Sequence, residues 1–303
     1  MTSRALRLPD GRAVSVWEGG DPAGTPVLFF HGCPDSRRAA VTGHEPAARA
    51  GVRLVAASRP GYSATDVPGP VHPGTHLDVA DDTVAVADAL DLTGFAVLGM
   101  SVGGPYALAT AARHPQRITA AGVVAAPADV PSLTPPVHRD GVGDEETTFF
   151  AGLAVTDPAA SVEQLRPDFE TWVAGLDPDD SNDDALAARW LAVLPEADRA
   201  AVAPLDSAEL AAAAREAVGR SEGYLRDAAI AFRAWPFAVT DVRATVHAWY
   251  GGEDPNYSVR NGEWLAEHAG ATLVVRDGAT HLITLVDHWE DMLVTLTRKT
   301  SVP

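Results

Sequence analysis

One cysteine, Cys33, occurs in 303 residues. No disulfide can form within the chain, so its stability must come from packing, and a reducing compartment fits. Lys299 is the only lysine among 23 basic residues, which face 41 acidic ones for a formal net charge of −18. No basic patch offsets that charge, which argues against nucleic acid or an anionic membrane as partner. No apolar run reaches the roughly eighteen residues of a membrane span, and the start, Met1 to Asp10, lacks a signal-peptide core. These absences predict a soluble, cytoplasmic protein. There is no HExxH segment and no Cys/His cluster, and Pro73-Gly74 breaks the helix that would bring His72 and His76 together. Neither a catalytic metal nor a cofactor is expected, and no internal repeat is evident.

What is present is a large apolar fraction, 46% of the chain, enough for one sizeable core. Leu6 to Leu8, Val14 to Glu18 and Val27 to Phe30 read as short strands separated by Pro, Asp and Gly, an antiparallel start to a sheet. From there strands alternate with helices. Val52 to Ala56 is a strand, Thr75 to Leu92 carries apolar residues at helical spacing, and Phe95 to Leu98 and Ile118 to Ala126 are further strands. The next core strand begins only at Val246.

The segment Gly99-Met100-Ser101-Val102-Gly103-Gly104 lies between a strand and an Ala-rich helix. Small residues on both sides of the serine permit a sharp turn that lifts its hydroxyl above the sheet edge and aims the following N–H groups at the same point. A serine hydroxyl is a weak nucleophile without a base in reach and a carboxylate to orient that base. The chain supplies both, in order. Asp254 ends the strand from Val246 to Tyr250 in the turn-rich Gly251-Gly252-Glu253-Asp254-Pro255, and His281 follows in the loop Gly278-Ala279-Thr280-His281-Leu282. Asp129, just beyond the strand ending at Ala126, is the rival acid. His268 and His288 are the nearest other histidines, both on predicted helices.

This order of nucleophile, acid and histidine resembles the α/β-hydrolase superfamily, over nearly the whole chain apart from a central insertion. His31-Gly32-Cys33-Pro34-Asp35-Ser36 is similar to that superfamily's His-Gly-x-Pro loop, which implies that the backbone N–H groups of Cys33 and Val102 form the oxyanion hole. Ser58-Arg59-Pro60-Gly61-Tyr62-Ser63 resembles its Arg-Pro-Gly-x-Gly-x-Ser loop, with Ser63 in place of the second glycine. His31 reads as a structural histidine beneath the oxyanion loop. The resemblance implies a mostly parallel eight-stranded sheet flanked by helices, with residues 1–126 and 237–303 as core and 127–236 as a helical cap.

Between Pro127 and Pro236 stand 21 acidic and 8 basic residues, so most of the negative charge lies in the insertion. The plain reading is a solvated helical surface, and the sharper one a carboxylate site for an amino-bearing substrate. Phe149, Phe150, Phe169, Trp172, Trp190, Tyr224, Phe232 and Trp235 exceed what short surface helices need, so most should pack the insertion and some should line a pocket. The expected function is hydrolysis of a carboxylic ester, lactone or thioester of a small hydrophobic molecule through an acyl-serine. A proline iminopeptidase-like activity, C–C bond hydrolysis, natural-product cyclisation and a small-molecule receptor retaining the triad stay open. Serine at the elbow argues against haloalkane dehalogenase and soluble epoxide hydrolase, which use aspartate there.

Overall fold

Phe95–Met100 has six consecutive buried residues, as expected of a strand covered on both faces. It is β5, in the middle of an eight-stranded sheet of order β1-β2-β4-β3-β5-β6-β7-β8. The other strands are β1 (Thr2–Arg7), β2 (Ala13–Gly20), β3 (Thr25–Phe30), β4 (Val52–Ala57), β6 (Ile118–Val124), β7 (Thr245–Gly251) and β8 (Thr272–Arg276). The computed structural model describes residues 1–68 and 74–298.

β2 is antiparallel to β1 and to β4, and every other pairing is parallel. The antiparallel start therefore covers two of the three strands assigned to it. β3 lies parallel to both β4 and β5, because residues 31 to 51 form a crossover long enough to return the chain to the opposite edge. That connection contains α1 (His44–Arg49).

Side chains alternate across the sheet and feed two cores. Phe95 and Val97 join Val86, Leu108 and Tyr250 on one face, under α2 (His76–Ala89) and α3 (Gly103–Arg113). Leu98 and Met100 join Leu54, Trp249 and Trp289 on the other. The helix expected over Thr75 to Leu92 is α2, which starts at a capping box: the Thr75 hydroxyl and the Asp78 carboxylate each bond the other's backbone N–H.

Six α-helices lie between β6 and β7: α4 (Asp144–Val155), α5 (Pro158–Leu176), α6 (Asp183–Ala192), α7 (Glu196–Val202), α8 (Ser207–Val218) and α9 (Ser221–Ile230). They have an apolar cluster of their own, including Phe169, Leu176, Leu186, Ala214 and Leu225, with α6 packed on α8 and α5 on α9. The chain then completes the sheet with α10 (Arg260–Ala269), α11 (His281–Val286) and α12 (Trp289–Thr297).

Candidate functional site

β3 changes neighbours where the chain order of strands reverses, and Phe30 lies opposite Gly99 in the parallel pair β3–β5. The loops after β3 and β5 therefore leave the same edge side by side, the usual place for a site in such a sheet. Ser101 occupies the turn with φ 54°, in the left-handed region that costs a non-glycine residue about 1 kcal/mol or more. Two glycines make the turn possible. A Cβ on Gly99 would stand 2.3 Å from the Gly103 carbonyl oxygen, and one on Gly103 would stand 2.2 Å from the Phe30 carbonyl oxygen. Ser101 N–H donates to the Val124 carbonyl at 2.9 Å, which ties the turn to β6. Val102 precedes the first turn of α3, where amides are unpaired and the helix dipole is positive. Among the described residues, neither the Val102 nor the Cys33 amide has an intramolecular acceptor.

β7 and β8 end at the same edge. His281 Nδ1 lies 2.8 Å from Asp254 Oδ2, with the Asp254 side chain fully buried and that of His281 11% exposed. Asp254 Oδ1 accepts from the amides of Asn256 at 2.7 Å and Tyr257 at 3.2 Å, which fixes the carboxylate's orientation. The rival Asp129 is engaged elsewhere, with Trp235 N–H at 3.1 Å and the Ser132 hydroxyl at 2.7 Å. His281, expected in a loop, is instead the first residue of α11. Of the nearby histidines, His268 is in α10 and His288 immediately precedes α12.

Ser101 and His281 line one cavity of about 340 Å³ together with Cys33, Asp35, His138 and Tyr257. Trp172 of α5, Trp190 of α6, and Val193 and Leu194 between α6 and α7 form an apolar wall. Tyr257 lines the cavity together with Ser101, and burial holds its phenol well above its ordinary pKa. His138 packs against Phe150, Phe232 and Tyr257, and burial pushes it down to about 4, so it is neutral at pH 7.

Asp35 accepts the Ser36 amide at 2.7 Å, and burial pushes its carboxyl up to about 7. Between the ordinary value of 3.8 and about 7, the folded chain holds a proton that the unfolded chain releases. Stability therefore declines as pH rises through that window. Asp35→Asn removes the effect, so its melting temperature should exceed the parent's by more at pH 8 than at pH 5. A gap independent of pH would contradict the assignment.

The Cys33 loop is clamped from behind. Arg59 donates from Nη1 to the His31 carbonyl at 2.5 Å and from Nη2 to the Gly32 carbonyl at 2.7 Å. Its charge is met by Asp227 of α9, with Nη2 2.5 Å from Oδ2 and both side chains 3% exposed. The hydroxyls of Tyr62 and Tyr106 complete the Asp227 carboxylate, each at 2.7 Å. His31 is fully buried, and its Nε2 accepts the Arg59 amide at 3.1 Å. That bond assigns the proton to Nδ1, which donates to the Gly32 carbonyl at 2.8 Å. Burial and the Arg59 charge hold the ring's pKa well below its ordinary value. Sequence reasoning passed over Asp227, Tyr257 and Asp35. Arg59 was visible only as part of the Arg-Pro-Gly loop.

Among the described residues, no three His, Cys, Asp or Glu side chains are grouped to hold a metal ion, and no helix is long and apolar enough to cross a membrane. His72 lies outside the described residues, and His76 is buried against Tyr106 and Phe237.

A curated epoxide hydrolase of Caballeronia sordidicola is 30% identical over 162 residues, 52% of this chain. The match covers 45% of that protein, so the chain spans less than half the length of this relative. Among solved structures, a putative aryl esterase from Burkholderia cenocepacia superimposes with TM-score 0.66 at 18% identity, over 97% of this chain and 96% of that one. The enol-lactonase from Burkholderia xenovorans LB400 gives 0.63 at 18%, over 97% and 98%. At such identities the likeness is one of fold. The family model described as the alpha/beta hydrolase fold matches residues 25–236, more than half of the chain, and with the sheet order found here it places this chain in the alpha/beta hydrolase family.

Proposed function

We propose that this chain is a cofactor-independent serine hydrolase of carboxylic esters, lactones and thioesters included, acting on small hydrophobic molecules. The observation that carries the reading is the Asp254–His281 pair at 2.8 Å, whose histidine lines the cavity that Ser101 enters from a left-handed turn. In this reading Ser101 attacks the carbonyl carbon while His281 takes the hydroxyl proton and Asp254 stabilises the imidazolium. The Cys33 and Val102 amides receive the charge that develops on the carbonyl oxygen. A donor of this kind is worth roughly 3 kcal/mol in another serine hydrolase, because it meets the oxyanion without reorganising. His281 returns the proton to the leaving alcohol, then activates the water that releases the acid. The helices within 127–236 act as the cap, and Trp172, Trp190, Val193 and Leu194 make its underside apolar, which favours hydrophobic acyl or alcohol groups.

Epoxide hydrolysis is disfavoured by bond chemistry. A serine oxygen that opened an epoxide would be left in an ether, which has no carbonyl for water to attack, and turnover would stop after one event. A second reading, hydrolysis of aminoacyl esters or amides, is favoured by Asp35. Its carboxyl ionises near pH 7 within the cavity and would then attract an ammonium group.

The test is turnover by the full chain of p-nitrophenyl esters of graded acyl length, with lactones, thioesters and aminoacyl p-nitroanilides alongside, and labelling of Ser101 by a fluorophosphonate. Multiple turnover of neutral esters with labelling at Ser101 is expected. A single burst, or neither labelling nor turnover, would favour a receptor. Preference for the anilides, with KM falling as pH rises through 7, would favour the second reading.

A further inference from the structure

α11 begins at His281 and has no capping side chain of its own, since the hydroxyl of its cap residue Thr280 points elsewhere. The partner comes from the inserted helices. Asp198, in α7, is 1% exposed, and its Oδ1 accepts the Thr280 hydroxyl at 2.5 Å and the amides of Leu282 at 2.9 Å and Ile283 at 3.4 Å. These donors bracket His281 in the chain. No arginine or histidine forms an ion pair with Asp198 among the described residues. Its charge is met by backbone and hydroxyl donors at the positive end of a helix, where a carboxylate is most favourable. A buried carboxylate without a cation is a costly way to add stability alone, but it fixes the position and direction of the amides that it holds.

We propose that Asp198 is a positioning residue for His281, reaching from the inserted helices to hold the backbone on both sides of the general base. The proposal rests on the reading of His281 as that base. Asp254 sets the orientation of the imidazole from Nδ1, and Asp198 sets where the ring is carried. One constraint acts on the ring and the other on the neighbouring residues that carry it, and both are needed to aim Nε2 at a nucleophile. The same stretch of chain touches the substrate cavity, because Val193 and Leu194 line it just before α7 begins and Leu282 lines it just after His281. The inserted helices thus shape the cavity and hold the histidine through one short segment.

The experiment compares Asp198→Ala, Asp198→Asn and Thr280→Val on p-nitrophenyl butyrate, well below each variant's melting temperature, and follows the His281 Nδ1 proton by NMR. Asp198→Ala should lower kcat by about 10²-fold, the scale of an ångström's misplacement of a reacting group, with KM nearly unchanged. The shared Nδ1 proton should broaden through faster exchange. Asp198→Asn should recover most of kcat, because its amide oxygen can take the same N–H groups. Leu186→Ala, buried in the inserted helices away from this contact, should lower the melting temperature and leave kcat as it was. If Asp198→Ala does not fold, Thr280→Val should still lower kcat at constant KM. Unchanged kcat in either variant, or a loss in Leu186→Ala equal to that in Asp198→Ala, overturns the proposal. A parent chain that neither labels nor turns over fails the hydrolase reading instead. The Nδ1 proton still reports on the positioning role in that case, and its persistence unbroadened in Asp198→Ala overturns that role.

Discussion

Ser101→Ala is expected to lose ester turnover by about a millionfold, the scale seen when the nucleophile of another serine hydrolase is removed. Fluorophosphonate labelling should disappear with it. The fold should remain, because alanine tolerates the φ of 54° no worse than serine and the turn is set by Gly99, Gly103 and the bond to Val124. Ser101→Gly separates chemistry from conformation. It should be equally inactive but more stable by about 1 kcal/mol, since glycine adopts a left-handed turn without the Cβ penalty. His281→Ala and Asp254→Asn should be almost as damaging, and combinations should cost little more than Ser101→Ala, because residues that act as one unit are not additive. Substantial turnover by Ser101→Ala would assign the nucleophile elsewhere.

That prediction could be framed from the sequence, and the reason is local. A strand, a tight turn and a helix have to be contiguous to make an elbow, so Gly99 to Gly104 carries the signal by itself, and β5 and α3 fall where the apolar run and the Ala-rich stretch put them. Asp254 was readable because it follows a strand in a turn-rich segment. It is preferred to Asp129 on the same ground, although both follow parallel strands. In the structure Asp254 lies against His281, while Asp129 is held by the Trp235 amide and the Ser132 hydroxyl.

What could not be read depends on contacts between the insertion and the core. Asp198 reaches α11 across 84 residues and Asp227 reaches Arg59 across 168, and neither lies in a motif. The sequence reads the start of α11 as loop because its capping carboxylate is Asp198, in another element. The aromatic residues of the insertion divide by geometry rather than by spacing. Phe169 and Tyr224 stack with centroids 4.7 Å apart, while Trp172, one helical turn on, also reaches the cavity. The charge count placed the acidity in the insertion but not the fact that two of its aspartates are buried against the site.

Asp227→Ala is expected to destabilise the chain by about 3–5 kcal/mol, because it leaves the Arg59 guanidinium buried without its counter-charge. For a chain of this size that is a fall in melting temperature of about 5–8 °C. The contrast is Asp81, paired with Arg113 at 2.7 Å with both side chains nearly half exposed. Asp81→Ala should cost no more than about 1 kcal/mol, since water and salt screen such a pair. Activity should fall with stability at Asp227 but not at Asp81, because Arg59 also holds the His31 and Gly32 carbonyls beneath the loop assigned to the oxyanion. Replacing both partners, Asp227→Leu with Arg59→Met, removes the stranded charge and should regain much of the lost stability, as hydrophobic replacement of buried ion pairs has done elsewhere. It should not regain kcat, since the clamp on the two carbonyls is gone. Denaturation midpoints and kcat measured on the single and double variants decide the matter. A double variant as unstable as Asp227→Ala would mean that the hydrogen bonds of Tyr62 and Tyr106, rather than the unpaired arginine, carry the loss.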